Sequence, residues 1–75
     1  MTASPTSQQA SAEVRAEMAR QRMGRSQLAN RIGVSPAEAG KLVNGRKEWP
    51  LGAFLAAAEA LGREPVEFFR AGRPA

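Results

Sequence analysis

The residues most able to take part in chemistry are basic side chains concentrated in one segment of the chain. Between residues 20 and 47 there are seven basic residues and one acid, Glu38, so this segment carries a net charge of +6. The rest of the chain has four basic residues and six glutamates, a net charge of −2. A basic excess confined to one segment is typical of a protein that binds a polyanion through one face. The alternative is a solvated basic surface without a partner, and charge alone does not separate the two.

The composition argues against catalysis and metal binding. The 75-residue chain has no cysteine and no histidine, so it lacks thiols and the commonest zinc ligands. No pair of carboxylates is accompanied by a nucleophile or a base. We therefore expect a protein that is not an enzyme, with no catalytic residues, metal, cofactor or small-molecule substrate. There is no run of about 18 apolar residues and no signal peptide, so we expect no membrane partner.

Helices must position the basic residues, because helical spacing recurs along the chain and no strand pattern is present. The predicted helices are residues 10–22, 25–32, 35–44 and 51–61 and a short last helix from Pro65. Together they predict one all-α domain of five helices over residues 12–69. Residues 1–11 are predicted to be a disordered lead-in because they are mostly small and polar, and residues 70–75 a frayed tail.

The second and third predicted helices have clear boundaries. Gly33 stands where a left-handed residue ends a helix. Ser35 is a good N-cap, Pro36 is favoured in a first turn, and Glu38 is placed to complete a capping box. A turn of three to four residues makes two short helices cross steeply, which leaves one face of the third helix projecting from the domain. Such a face can enter the major groove of DNA, which admits one helix.

Several short motifs follow one another in a fixed order across these helices. They are Met23-Gly24-Arg25-Ser26-Gln27-Leu28-Ala29, Gly33-Val34-Ser35, Leu42 to Gly45, and Pro50 followed by a helix that ends Ala60-Leu61-Gly62. In this order and spacing, the chain resembles the Cro/repressor-type helix-turn-helix domains of phage and bacterial regulators over about residues 12–69. The resemblance implies a compact, lambda-repressor-like domain of five helices. It also implies sequence-specific binding of double-stranded DNA by a transcriptional repressor.

The resemblance further implies which residues contact the operator. Bases are expected to be read from the third helix by Pro36, Ala37, Gly40 and Lys41. The DNA backbone is expected to be contacted by Arg25, Ser26, Ser35, Asn44, Arg46 and Lys47. Three of the base-reading positions offer no side-chain hydrogen bond, so we expect few direct contacts: Lys41 reaches guanine, Arg25 or Arg46 contributes, and DNA shape supplies the rest.

The chain also departs from the family pattern. Gly24 stands where relatives often have serine or threonine, which predicts a weaker N-cap for the second helix. Met18 and Val43 replace an arginine and a glutamate that form an ion pair in many members. We expect these two apolar residues to pack together, which removes the cost of desolvating charges.

Other apolar residues are assigned to the core. In the fourth helix the predicted apolar stripe consists of Leu51, Phe54, Leu55, Ala58 and Leu61. Trp49 is expected to cover the edge of the core. Of Phe68 and Phe69, one is expected to fold inward and the other to stay at the surface.

Two further interpretations are left open by the sequence. The chain is either a regulator in its own right or the N-terminal DNA-binding part of a larger repressor, and an antitoxin-type protein-interaction module is the alternative from another class. The expected partner is operator DNA, with a homodimer left open. The expected location is the cytoplasm, at the nucleoid or, for a phage protein, in the host cell.

Overall fold

The computed structural model describes residues 4–70, which form four helices and a final helical turn. The elements are α1 (Pro5–Gln21), α2 (Arg25–Ile32), α3 (Pro36–Val43), α4 (Leu51–Ala60) and the turn Glu67–Arg70. No strand occurs among the described residues, so the predicted all-α class is confirmed. Residues 1–3 of the predicted lead-in and residues 71–75 of the predicted tail lie outside the described residues.

The predicted fifth helix is a correction to the sequence analysis, because only one turn forms at that place. It follows i to i+3 bonds from Glu67 N to Glu64 O and from Phe68 N to Pro65 O. A single turn fixes several dihedral angles for few hydrogen bonds and is unfavourable by itself. Its position is therefore set by the burial of Phe68, which is 1% exposed.

Helix α1 includes most of the segment predicted to be disordered. Ser4 is its N-cap, with a hydroxyl that accepts from Ser7 N at 3.2 Å, and Pro5 occupies the first turn. Ser7, Ala10 and Ser11 are buried. The prediction of disorder is wrong over residues 5–11 because these small side chains pack closely and their hydroxyls find hydrogen-bond partners inside the fold.

Helices α2 and α3 form a helix-turn-helix at the predicted boundaries. Gly33 adopts φ +75° and ends α2, and the Ser35 hydroxyl caps α3 by accepting from Glu38 N at 3.1 Å. The predicted capping box is only half formed, because the Glu38 carboxylate pairs with Lys47. Gly24 gives α2 no side-chain cap, as predicted.

The helices enclose one hydrophobic cluster. Its buried members are Ala10, Val14, Met18, Leu28, Val43, Phe54, Ala57, Ala58, Leu61 and Phe68. Met18 and Val43 thus share one apolar core in place of an ion pair. Trp49 is half-buried at the edge of the cluster, as predicted, with its ring edge-on to Phe54 at a centroid distance of 6.2 Å. Phe68 is the inward-facing phenylalanine, while the side chain of Phe69 lies outside the described part.

The apolar stripe predicted for α4 is only partly buried. Phe54 and Ala58 face the core, but Leu51 is 72% exposed and Leu55 is 45% exposed. The buried face is instead completed by Ala57, whose small side chain allows a neighbouring helix to approach closely. Despite the exposed leucines, no helix among residues 4–70 is long and apolar enough to cross a membrane.

Candidate nucleic-acid interface

The outer face of α3 has few polar side chains. Pro36, Ala37, Lys41 and Asn44 are exposed, as expected of residues at a groove, while Ala39, Leu42 and Val43 face the core. Ser35 is also exposed at the start of the helix. Because its oxygen accepts from Glu38 N, the Ser35 hydroxyl hydrogen remains available to a phosphate.

Gly40 was predicted to lie open on this face, but it does not. It is buried, and a Cβ added to it would stand 3.0 Å from Arg25 Nη1 and 3.2 Å from Arg25 Cδ. The missing side chain of Gly40 therefore leaves space that the Arg25 side chain occupies. The helical period predicted that Gly40 faces outward, but it could not show that the side chain of the first residue of α2 covers it.

The carboxyl end of α3 is held by three side chains from one face of α1. Gln8 Nε2 donates to Gly45 O at 3.1 Å, Ser11 Oγ donates to Leu42 O, and Arg15 Nη1 donates to Val43 O. These bonds occupy carbonyl groups of the kind left without partners where a helix ends. Sequence reasoning missed this contact, although polar residues at positions 8, 11 and 15 have the spacing of one helix face.

The loop that follows α3 is also fixed to α1. Trp49 Nε1 donates to Ser11 Oγ at 2.9 Å, and Trp49 N donates to Ser7 Oγ at 3.0 Å. Ser11 is fully buried and bonds both to the loop and to α3. Among the described residues, no buried side-chain nitrogen or oxygen lacks a hydrogen-bond partner. The orientation of α3 is therefore set by a complete polar network as well as by apolar packing.

Asn44, Arg46 and Lys47, the loop residues expected at the DNA backbone, are all exposed. The Lys47 ammonium pairs with the Glu38 carboxylate, which lies in the first turn of α3. The hydrogen bond from Lys47 lowers the pKa of Glu38, and the charges of Lys47 and Lys41 lower it further. Part of the positive charge of this loop is thus already balanced within the protein.

A second group of charges lies away from α3. Glu17 is 7% exposed and accepts from Arg20 at 2.8 Å, from Gln21 at 2.8 Å and from Arg63. The hydrogen bonds from Arg20, Gln21 and Arg63 lower its pKa to about 2, against the opposing effect of burial. Arg20 therefore stabilises the fold, although it is one of the seven basic residues of the segment between residues 20 and 47.

The remaining basic residues of that segment have no carboxylate partner within residues 4–70. They are Arg22, Arg25, Arg31, Lys41 and Arg46, and each is exposed. Arg25 starts α2 and lies against Gly40, Lys41 lies on α3, and Arg46 follows α3. Positive charge from Arg25 and Lys41 thus lies against α3 or on it, and Ser26 of α2 is exposed as well.

Comparison with known proteins agrees with this geometry. A helix-turn-helix family profile of the Cro/repressor type matches residues 17–68, so the chain belongs to the helix-turn-helix family of DNA-binding transcription regulators. The fold is similar to the crystal structure of the clp gene regulator ClgR from Corynebacterium glutamicum, with a TM-score of 0.83 and 24% identity. That similarity covers 89% of this chain and 71% of the other. A search of curated proteins finds no match.

Proposed function

We propose that the domain binds a specific double-stranded DNA operator by placing α3 in the major groove, and that it represses transcription by occupying a promoter. One observation carries the proposal: unpaired basic side chains lie beside a projecting helix whose outer face is small or apolar. Small residues let the helix approach the floor of the groove closely, since the major groove is about as wide as one helix. The clp gene regulator with a similar fold supports a regulatory role.

Within this proposal, Pro36 and Ala37 contact thymine methyl groups and Lys41 donates to guanine O6 or N7. Around them, phosphates are held by Ser26, Ser35, Asn44 and Arg46, and by Lys47 to the extent that Glu38 releases it. The rigid attachment of α3 to α1 supports this assignment, because groove contacts need a fixed helix orientation.

The test is binding of the full chain to a library of random-sequence duplexes, followed by titration of a selected duplex at several salt concentrations. We expect a recognisable sequence preference and a steep loss of affinity with salt, with a slope of about −0.9 for each phosphate contact. An affinity that stays flat between low and moderate salt would contradict DNA binding.

Two variants separate base contacts from phosphate contacts. Lys41→Ala should relax the preference at one base pair, at a cost of about 1–3 kcal/mol on the selected duplex and less on random DNA. Arg46→Ala is the matched control, with the same change in charge, and should weaken binding to all duplexes alike. Equal losses on selected and random DNA for Lys41→Ala would contradict its role at a base.

A further inference from the structure

We propose that Arg25 is a base-reading residue, with a guanine as its target and Gly40 as the surface that holds its side chain in place. This inference rests on the proposed binding of DNA by α3. The family resemblance implied a contact between Arg25 and the DNA backbone; the proposal instead gives this first residue of α2 a direct part in sequence recognition.

The first step is the position of the Arg25 side chain. Its Nη1 and Cδ atoms lie 3.0 Å and 3.2 Å from the place where a Cβ of residue 40 would stand. Residue 40 is three residues after Ala37 and four before Asn44, so all three lie on one face of α3. A side chain that covers Gly40 therefore lies in the middle of the surface proposed to face the bases.

The second step is the availability of the guanidinium group. Arg25 is exposed, and within residues 4–70 it has no ion pair or hydrogen bond to a side chain. Glu38, the acid in the first turn of the neighbouring helix α3, is paired with Lys47. The donors of Arg25 are thus open to a ligand, and the neighbouring Ala37 offers no polar group that would compete for it.

The third step is the match between the Arg25 guanidinium and the edge of a guanine base. A guanidinium presents parallel N–H donors in a planar fork, which fits the O6 and N7 acceptors of guanine in the major groove. Contact with Gly40 restricts the side chain before binding, so less conformational entropy is lost when it meets a base. The same planar fork also fits a phosphate, so it is the position of Arg25 over Gly40, in the middle of the surface proposed to face the bases, that favours a base as its ligand.

The experiment compares sequence preference among variants of the full chain, measured on a library of random-sequence duplexes. Wild-type protein should select a guanine at one base pair that depends on Arg25. Arg25→Lys keeps the charge but loses the planar fork, so it should reduce selection of that guanine about tenfold or more. The fall in selection should exceed any loss of affinity for non-selected DNA, because non-selected binding depends mainly on charge, which lysine keeps.

Substitution of Gly40 tests the same idea without changing Arg25. Gly40→Ala places a methyl group against Nη1 and Cδ, and Gly40→Leu fills the space that the side chain occupies. Both residues favour helix over glycine, so the fold should persist, which circular dichroism can verify. Selection of the guanine should fall in Gly40→Ala and fall further in Gly40→Leu, and the affinity of each variant for non-selected DNA is measured alongside to separate lost selection from a general loss of binding.

Each result decides the matter. An unchanged preference in Arg25→Lys would overturn the role of Arg25 at a base, as would an equal loss of affinity for all duplexes on Arg25→Ala. An unchanged preference in Gly40→Leu would overturn the role of Gly40 in holding the side chain. In either case the wild-type preference would leave the proposed function intact. Wild-type protein that binds no duplex at all would overturn the proposed function, and this inference with it.

Discussion

At the scale of single residues, Glu38 is unusual because it is the one acid within the basic segment. Its carboxylate lies in the first turn of α3, where the helix dipole favours a negative charge, and it pairs with the Lys47 ammonium. In the proposed complex, the same carboxylate would repel the phosphates of the duplex. We infer that Glu38 stabilises the free protein and limits its affinity for DNA.

The first prediction concerns the variant Glu38→Gln. It removes the repulsion and frees Lys47 for a phosphate, so affinity should rise on the order of 2- to 10-fold at low salt, with a salt slope steeper by about one contact. Titration of a labelled duplex measures both quantities. Glu59→Gln on α4 is the control with an equal change in net charge. A rise of the same size in the control would show that net charge alone is responsible.

At the scale of elements, α1 fixes the direction of α3. Ser11 joins the two, because its hydroxyl donates to Leu42 O and accepts from Trp49 Nε1. Both bonds are shielded from water, since Ser11 is fully buried. A hydrogen bond of this kind contributes modestly when made, but a buried partner left without it is costly.

The second prediction is that Ser11→Ala lowers both stability and DNA affinity. Loss of the hydroxyl leaves the indole N–H of Trp49 without its acceptor, and we expect a cost of about 1–3 kcal/mol in the free energy of unfolding. Urea denaturation followed by tryptophan fluorescence measures this cost. Ser26→Ala, at an exposed site of α2, is the control for stability and should change it little. Equal stability of the two variants would contradict a structural role for Ser11.

The elements also show what the sequence could and could not predict. The end of α2 at Gly33 and the start of α3 at Ser35 were predicted correctly, because cap residues act within a few positions of the chain. The first half of α1 was missed, because the buried Ser11 hydroxyl has its acceptor, Leu42 O, 31 residues further on. The position of Arg25 over Gly40 was missed for the same reason, since it needs the angle between two helices.

At the scale of the whole molecule, charges hold the first helix to the connection after α4. Glu17 of α1 pairs with Arg63, which follows α4, and Gln21 Nε2 donates to Leu61 O at 2.7 Å. The pKa of Glu17 is lowered from its ordinary value of 4.5 to about 2, with the hydrogen bond from Arg20 as the largest cause. Because the folded-state pKa lies below the unfolded one, ionised Glu17 stabilises the fold above about pH 4.5.

The third prediction follows from the lowered pKa of Glu17. Stability should fall as pH drops from about 4.5 towards 2, since protonation of Glu17 removes its favourable interactions. Glu17→Gln should be less stable than the wild type at neutral pH and should lose less stability over the acid range. Thermal unfolding at a series of pH values gives both curves, with Glu59→Gln as the control for loss of one carboxylate. Parallel curves for wild type and Glu17→Gln would contradict the assignment.

The attachment of α3 to α1 has a consequence for transplanting the domain. The family profile begins at residue 17, whereas Gln8, Ser11 and Arg15 precede it. A chimaera that grafted only residues 17–68 onto another regulator would carry the reading helix without the three side chains that hold its carboxyl end. Such a graft would keep the residues proposed to contact DNA, but the orientation of α3 would be less firmly fixed. The segment that precedes the family profile would thus decide whether DNA recognition can be transferred.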